Sequence, residues 1–366
     1  MPQKIKIINI VGARPNFIKI YPVLTEQKKY PELIQPILVH TGQHHDFEMS
    51  RIFFQDLRIP KPDYNLEVGS GSHAWQTAKI MEKLEKVLLK EDPNLVIVVG
   101  DVNSTLAGAL TAAKLNIPVA HIEAGLRSFD MSMPEEINRV LTDHISDYLF
   151  VTELSGVKNL LNEGIKRKKF FFVGNVMIDT LIKSKIKSKK SKILKRLRLE
   201  SKNYVLLTLH RSENVDNSKV LKQLFEGIGE IQKKIKIVFP VHPRTRKQLP
   251  NIKIEQYYNN ILFTEPFGYL DFLSLESEAK FVLTDSGGIQ EETTFLQIPC
   301  LTLRENTERP VTIERGTNIL CGRDKEKIIR EANKIMAGKQ KIGKIPKYWD
   351  GKSAKKIIKI IKQIYL

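Results

Sequence analysis

The chain has 366 residues, 42% hydrophobic and 27% charged, a globular mixture too long for one ordinary core, so two domains are expected. No apolar run of about 18 residues occurs, which excludes a membrane-spanning helix from the reading. The net charge is +18, but lysine is spread along the chain without zinc-finger spacing, an aromatic RNA-binding motif or a DNA-reading helix; nucleic acid is not an expected partner, and the field would favour small anionic substrates.

Strand-like sequence begins within the first few residues, without the apolar stretch and small-residue cleavage site of a secretory signal. The two cysteines, Cys300 and Cys321, sit in apolar surroundings and read as small core residues, so a reducing, cytoplasmic setting is expected. In the first half, Ile/Val-rich runs place strands at 5–11, 34–40, 95–99, 119–123, 148–151 and 170–173, with helices such as 74–89 and 135–145 between them. The second half repeats the pattern, with strands at 204–209, 235–241, 261–263, 281–284 and 300–303 and helices such as 219–234 and 269–277. A Lys/Ser-rich stretch near 183–202 separates the halves and reads as a solvated helix and linker. The alternation predicts an α/β fold of two Rossmann-like domains, 1–182 and 183–350, with parallel sheets facing across a cleft.

Ligands of such sheets gather at the carboxyl ends of the strands. Polar residues fall there repeatedly: 12–19, Thr41-Gly42-Gln43-His44, Gly100-Asp101, Glu123, His210, His242 and Asp285-Ser286-Gly287-Gly288. The run 284–292 follows a strand and opens a helix; two glycines allow close approach of a diphosphate to free N–H groups, and Glu292 one turn on can accept from ribose hydroxyls. An ordinary capped turn is the alternative, and Thr307-Glu308-Arg309-Pro310 shifts the balance by adding a cation. The loop Gly12-Ala13-Arg14-Pro15 lacks the full dinucleotide fingerprint, but Arg14 and Lys19 could grip phosphate or simply be solvated charges. Asp101, Glu123 and Glu135 are each ordinary as caps or surface acids; at one rim they resemble acid/base equipment. His210 could hydrogen-bond a substrate oxygen or make a structural contact. His44, His45, His121, His144 and His242 show no metal-binding spacing, so no metal is expected.

The loop 12–22, Thr41-Gly42-Gln43-His44, Gly100-Asp101, His121-Ile122-Glu123-Ala124-Gly125-Leu126-Arg127, Pro134-Glu135-Glu136-Ile137-Asn138-Arg139, 208–214, Pro240-Val241-His242, 284–292 and 307–310 together resemble the non-hydrolysing UDP-N-acetylglucosamine 2-epimerases over nearly the whole chain. The resemblance implies a GT-B-like fold, a homodimer, and reversible conversion of UDP-GlcNAc to UDP-ManNAc with no cofactor. The implied route eliminates UDP to a 2-acetamidoglucal and adds it back. Asp101, Glu123, Glu135 and His210 would be catalytic. Arg14, Lys19, Arg139, Ser286, Gly287, Gly288 and Arg309 would hold phosphate or sugar, Glu292 the ribose, and Phe267 and Phe272 the uracil. Asp350-Gly351-Lys352-Ser353-Ala354 is similar to the family's closing motif, and the last helix, within 351–366, would return to the first domain.

Gln43, Glu136, Arg211 and His242 match a second, regulatory UDP-GlcNAc site of bacterial members, whereas Asp46 and Ser212 depart from it. Ala13 and Asn16-Phe17 resemble relatives that epimerise UDP-2,3-diacetamido-glucuronic acid. A hydrolysing epimerase, a GT-B glycosyltransferase and a catalytically dead nucleotide-sugar binding protein are the competing expectations.

Overall fold

Apolar strands pair in parallel to form two separate sheets in the computed structural model, which describes residues 4–43, 60–252, 254 and 259–366. The expectations on His44, His45, Asp46 and the side chain of Arg14 lie outside the described residues. The first sheet contains β1 (Ile5–Val11), β2 (Ile34–His40), β3 (Tyr64–Asn65), β4 (Leu95–Val99), β5 (Val119–Ala124), β6 (Tyr148–Val151) and β7 (Phe170–Phe172), in the order β3-β2-β1-β4-β5-β6-β7. β4 is buried along its whole length, the continuous apolar run of a parallel strand covered on both faces. β1 carries one polar residue into the core, Asn9, whose amide exchanges hydrogen bonds of 3.0 and 3.1 Å with Gln27. The strand order reverses between β1, which pairs Ile5 with Ile34, and β4, which pairs Leu95 with Ile7. That reversal opens a crevice at the strands' carboxyl ends.

The second sheet contains β8 (Tyr204–Thr208), β9 (Lys236–Pro240), β10 (Ile261–Thr264), β11 (Phe281–Thr284), β12 (Cys300–Thr302) and β13 (Asn318–Leu320), in the order β10-β9-β8-β11-β12-β13. Its reversal lies between β8 and β11, where Thr208 and Thr284 pair and their hydroxyls meet at 2.6 Å. β3 and β13 were absent from the sequence expectation, because edge strands this short carry no readable period.

The chain divides into one unit of Met1–Ile182 with Lys347–Leu366 and another of Lys183–Pro346. The return is built by specific contacts. Asp179 accepts from the N–H groups of Ser353 and Ala354 at 3.2 and 2.8 Å, capping the helix Ser353–Tyr365. Ile357, Ile358 and Ile361 bury its apolar stripe, and it packs on the helix Arg14–Gln27. The Trp349 indole donates to the Thr152 carbonyl at 3.3 Å. Both cysteines are buried, and burial pushes each thiol up to about 12, which leaves them inert at neutral pH. Among the described residues no helix is long and apolar enough to cross a membrane.

Candidate active site

The turn after β1 places the first polar groups of the Met1–Ile182 unit. A Cβ on Gly12 would stand 1.9 Å from the Ser104 hydroxyl, so only glycine lets β1 run this close to the helix Asn103–Lys114. Asn16 accepts from the N–H groups of Gly12 and Ala13 at 3.2 and 2.9 Å and donates to the Val99 carbonyl at 2.9 Å. It therefore ties the start of its helix to the end of β4. Phe17 is buried beside the His40 ring. The residues that set this chain apart in the loop thus shape its backbone.

Lys19, one turn into that helix, is buried with Nζ 2.8 and 2.6 Å from the two carboxylate oxygens of Glu123. It stands as the partner of an acid rather than as an uncommitted phosphate cation. Glu123 occupies the left-handed region at φ 77°, where the β5–β6 register shifts between Ile122 and Ala124. The bulge re-aims the side chain, and a non-glycine residue held there is backbone strain of the kind found at working sites. Beside it, His121 is fixed at both ring nitrogens, by Asp143 at 2.7 Å and the Gly100 carbonyl at 2.8 Å. Burial would push the Asp143 carboxyl up; His121, Arg127 and the Gly125 N–H outweigh it and hold the group below its usual range. This buried chain anchors the loop on which Asp101 sits.

Asp101 receives Arg139 Nη1 at 2.5 Å, and its carbonyl receives Asn138 at 2.9 Å. Both donors lie on the helix Pro134–Ile145, whose first turn carries half-buried Glu135. Glu136, in the same turn, is buried and accepts from the N–H groups of Ser128 and Phe129 and from Arg139. Gln43 is likewise committed, its Oε1 accepting the Ser104 hydroxyl at 2.6 Å. Asp101, Glu123 and Glu135 therefore all lie at the carboxyl edge of the first sheet, with Arg139 and Lys19 as counter-charges.

In the Lys183–Pro346 unit, fully buried Asp285 organises the edge of β8. Its carboxylate lies 2.9 Å from His210 Nδ1 and accepts from the backbone N–H groups of His210 and Arg211 at 3.0 Å each. Burial raises this carboxyl, but His210 and the backbone donors outweigh it and hold it low. With Nδ1 occupied, Nε2 is the atom His210 offers a ligand, from a side chain 36% exposed. The His242 ring lies 5.5 Å away, and its Nδ1 accepts from the Arg244 N–H at 3.2 Å.

Ser286 precedes the helix Gly287–Leu296 without a side-chain capping bond, so first-turn N–H groups remain for an anion. A Cβ on Gly287 would meet Arg309 Nη1 at 2.5 Å. Arg309 is buried, paired with Glu291 at 2.9 Å and with Glu308. Glu308 is held in turn by Arg304 at 2.8 Å and approached by Arg211 at 3.6 Å. Arg309 thus buttresses the Ser286-Gly287-Gly288 turn from beneath. Glu292 is buried and accepts from the Tyr269 hydroxyl at 2.8 Å. Phe267 and Phe272 are half-buried against an apolar cluster that includes Tyr204, Leu206 and Val282.

The hold of Asp285 on His210, the His121–Asp143 pair and the Lys19–Glu123 bond went unread as site features. Asp285 stood inside the quoted Asp-Ser-Gly-Gly run; the other two join residues that no local pattern connects. Among the described residues, no group of three or more His, Cys, Asp or Glu side chains is arranged to hold a metal.

Comparison with known proteins places the chain. A family profile described as UDP-N-acetylglucosamine 2-epimerase matches residues 26–362. The UDP-N-acetylglucosamine 2-epimerase of Methanocaldococcus jannaschii is 49% identical over 97% of this chain and 98% of its own. The UDP-2,3-diacetamido-2,3-dideoxy-D-glucuronate 2-epimerase of Pseudomonas aeruginosa is 44% identical over 89% of this chain and 91% of its own. A crystal structure of the M. jannaschii enzyme in complex with UDP-GlcNAc and UDP superposes with a TM-score of 0.92, covering 98% of this chain and 100% of that one. The two parallel-sheet α/β units are those of a GT-B-like fold, and the chain belongs to the UDP-N-acetylglucosamine 2-epimerase family.

Proposed function

We propose that this chain inverts UDP-N-acetylglucosamine at C2, reversibly, to give UDP-N-acetylmannosamine, with UDP retained and the sugar not hydrolysed. The observation that carries the reading is Glu123, a strained, buried carboxylate paired to Lys19 at the sheet edge that also bears Asp101 and Glu135. One carboxylate of the set takes the C2 proton while the C1–O bond breaks, its electron pair leaving on the UDP oxygen and a C1=C2 double bond forming. UDP then adds back to C1 of the glycal as a proton reaches C2 from the opposite face. Two faces require two proton-handling groups, which is why several carboxyls serve one reaction. Arg139 neutralises and orients Asp101.

The leaving group must stay bound throughout. Ser286, Gly287 and Gly288 at the helix N-terminus hold the diphosphate, and His210 Nε2 hydrogen-bonds it. Glu292 accepts from the ribose, and Phe272 with the Phe267 backbone receives the uracil. Exposed Trp75, Ile137 and Leu141 on the first unit fit a homodimer, which light scattering would check.

Incubation with UDP-GlcNAc in deuterated water tests the reading by NMR. UDP-ManNAc carrying deuterium at C2, without accumulating UDP, is expected. Free UDP with free ManNAc would identify a hydrolase, and no exchange would remove the epimerase reading. The P. aeruginosa relative supports a second substrate, the diacetamido-uronic sugar. Because Asn16 and Phe17 are both buried, they would select it through the shape of the loop. Turnover of the two UDP-sugars in competition separates the substrates.

A further inference from the structure

Glu276, on the helix Tyr269–Glu278, is fully buried, and neither of its carboxyl oxygens receives a hydrogen bond from the described residues. Two turns earlier on the same helix, Tyr269 donates to Glu292 of the packed helix Gly287–Leu296, and the Glu292 carboxylate acts on Glu276 from there. The influences on Glu276 are burial and Glu292, and no cation is among them. Two adjacent buried carboxylates cannot both ionise, and a hydrogen bond between them needs a proton. The Glu276 carboxyl is accordingly pushed well up by burial and by the charge of Glu292. The Tyr269 phenol is pushed up too, by burial, Glu292 and Glu276, so it remains a donor to Glu292. Cys300 lies near Glu276 as a protonated thiol.

We propose that Glu276 donates a hydrogen bond to Glu292 and, with the Tyr269 hydroxyl, fixes Glu292 as the acceptor that distinguishes a ribose diol from a sugar lacking it. Glu276 is a positioning residue for nucleotide recognition and touches no substrate atom. The 5% exposure of Glu292 gives the ribose hydroxyls an approach to its carboxylate. Without the Glu276 proton, Glu292 loses a fixed donor and can rotate away from its acceptor geometry. The inference rests on the reading of Glu292 as the ribose ligand.

Calorimetric titration of the full chain with UDP and with 2′,3′-dideoxy-UDP tests both. The unsubstituted protein should prefer UDP by roughly tenfold or more. Glu276→Met should shrink that preference at least fivefold, mainly by weakening UDP, while Glu276→Gln, whose amide can donate to Glu292, should restore it. A preference retained in Glu276→Met, or lost equally in Glu276→Gln, overturns the positioning role. Equal weakening of both ligands in Glu276→Met would be a general packing defect and also overturns it. If the unsubstituted protein shows no preference, the ribose reading of Glu292 fails, and this inference fails with it.

Discussion

The Lys19–Glu123 pair gives the sharpest test of the first unit. Its side chains are 5% and 2% exposed, and the ammonium lies 2.6 Å from the nearer carboxylate oxygen. An exposed pair of this kind would contribute about 0.2–1 kcal/mol. Here Lys19→Met leaves the Glu123 charge buried without its cation, which costs about 3–5 kcal/mol. For a unit of this size that corresponds to a midpoint about 6–20 °C lower. Glu123→Gln strands the lysine in the same way. The double variant Lys19→Met/Glu123→Gln removes both charges and should be no less stable than either single one, giving a coupling of roughly 2 kcal/mol or more in a urea-denaturation cycle. All three variants should lose epimerisation, because Glu123 loses its held position in Lys19→Met and its charge in the other two, while UDP still binds. A coupling below about 0.5 kcal/mol would refute the reasoning, since the pair would then behave as a solvated one.

Asp285→Asn keeps the size of the group that orients His210 but exchanges one acceptor for a donor; kcat/KM should fall roughly 10–100-fold as His210 loses its aim at the diphosphate, and an unchanged kcat/KM would contradict the orienting role. Gly287→Ala drives a methyl to within 2.5 Å of Arg309 Nη1, so UDP affinity measured by calorimetry should drop about tenfold or more, and unchanged affinity would reject the turn as the diphosphate seat. Asp143 and Asp285 are both held below their unfolded range in the fold, so the unfolded chain takes up protons first. Their stabilisation is full above about pH 4 and fades as pH falls through the lowered folded values. The urea midpoint should therefore decline steeply in acid, with a shallower decline in Asp143→Asn; an unaltered slope in that variant would contradict the assignment.

Much of the architecture was legible along the chain. Leu95–Val99 is a continuous apolar run, and such a run between helical stretches specifies a buried parallel strand whatever surrounds it. The Gly-Gly turn after β11 and the carboxylates at strand ends were legible for a related reason. Parallel α/β sheets gather ligand-binding groups at one edge, so position in a strand already states position at the candidate site. The resemblance of the motifs to the epimerase family added the chemistry that spacing alone left open.

The partners of those groups were decided only in three dimensions. Lys19 and Glu123 lie 104 positions apart, and His210 meets Asp285 across 75. Lys19 and Arg309 read as phosphate cations because a local pattern shows a charge but not what neutralises it. Packing buried both beside carboxylates, where desolvation makes a counter-charge necessary. Glu276 is the extreme case: a glutamate in an amphipathic helix reads as solvated surface until the neighbouring helix brings Glu292 against it. Periodicity and turn chemistry act over a few residues and determine elements. Burial and charge pairing act between elements, so the tertiary structure alone determines which acid is ionised, which is neutral and which is held in place.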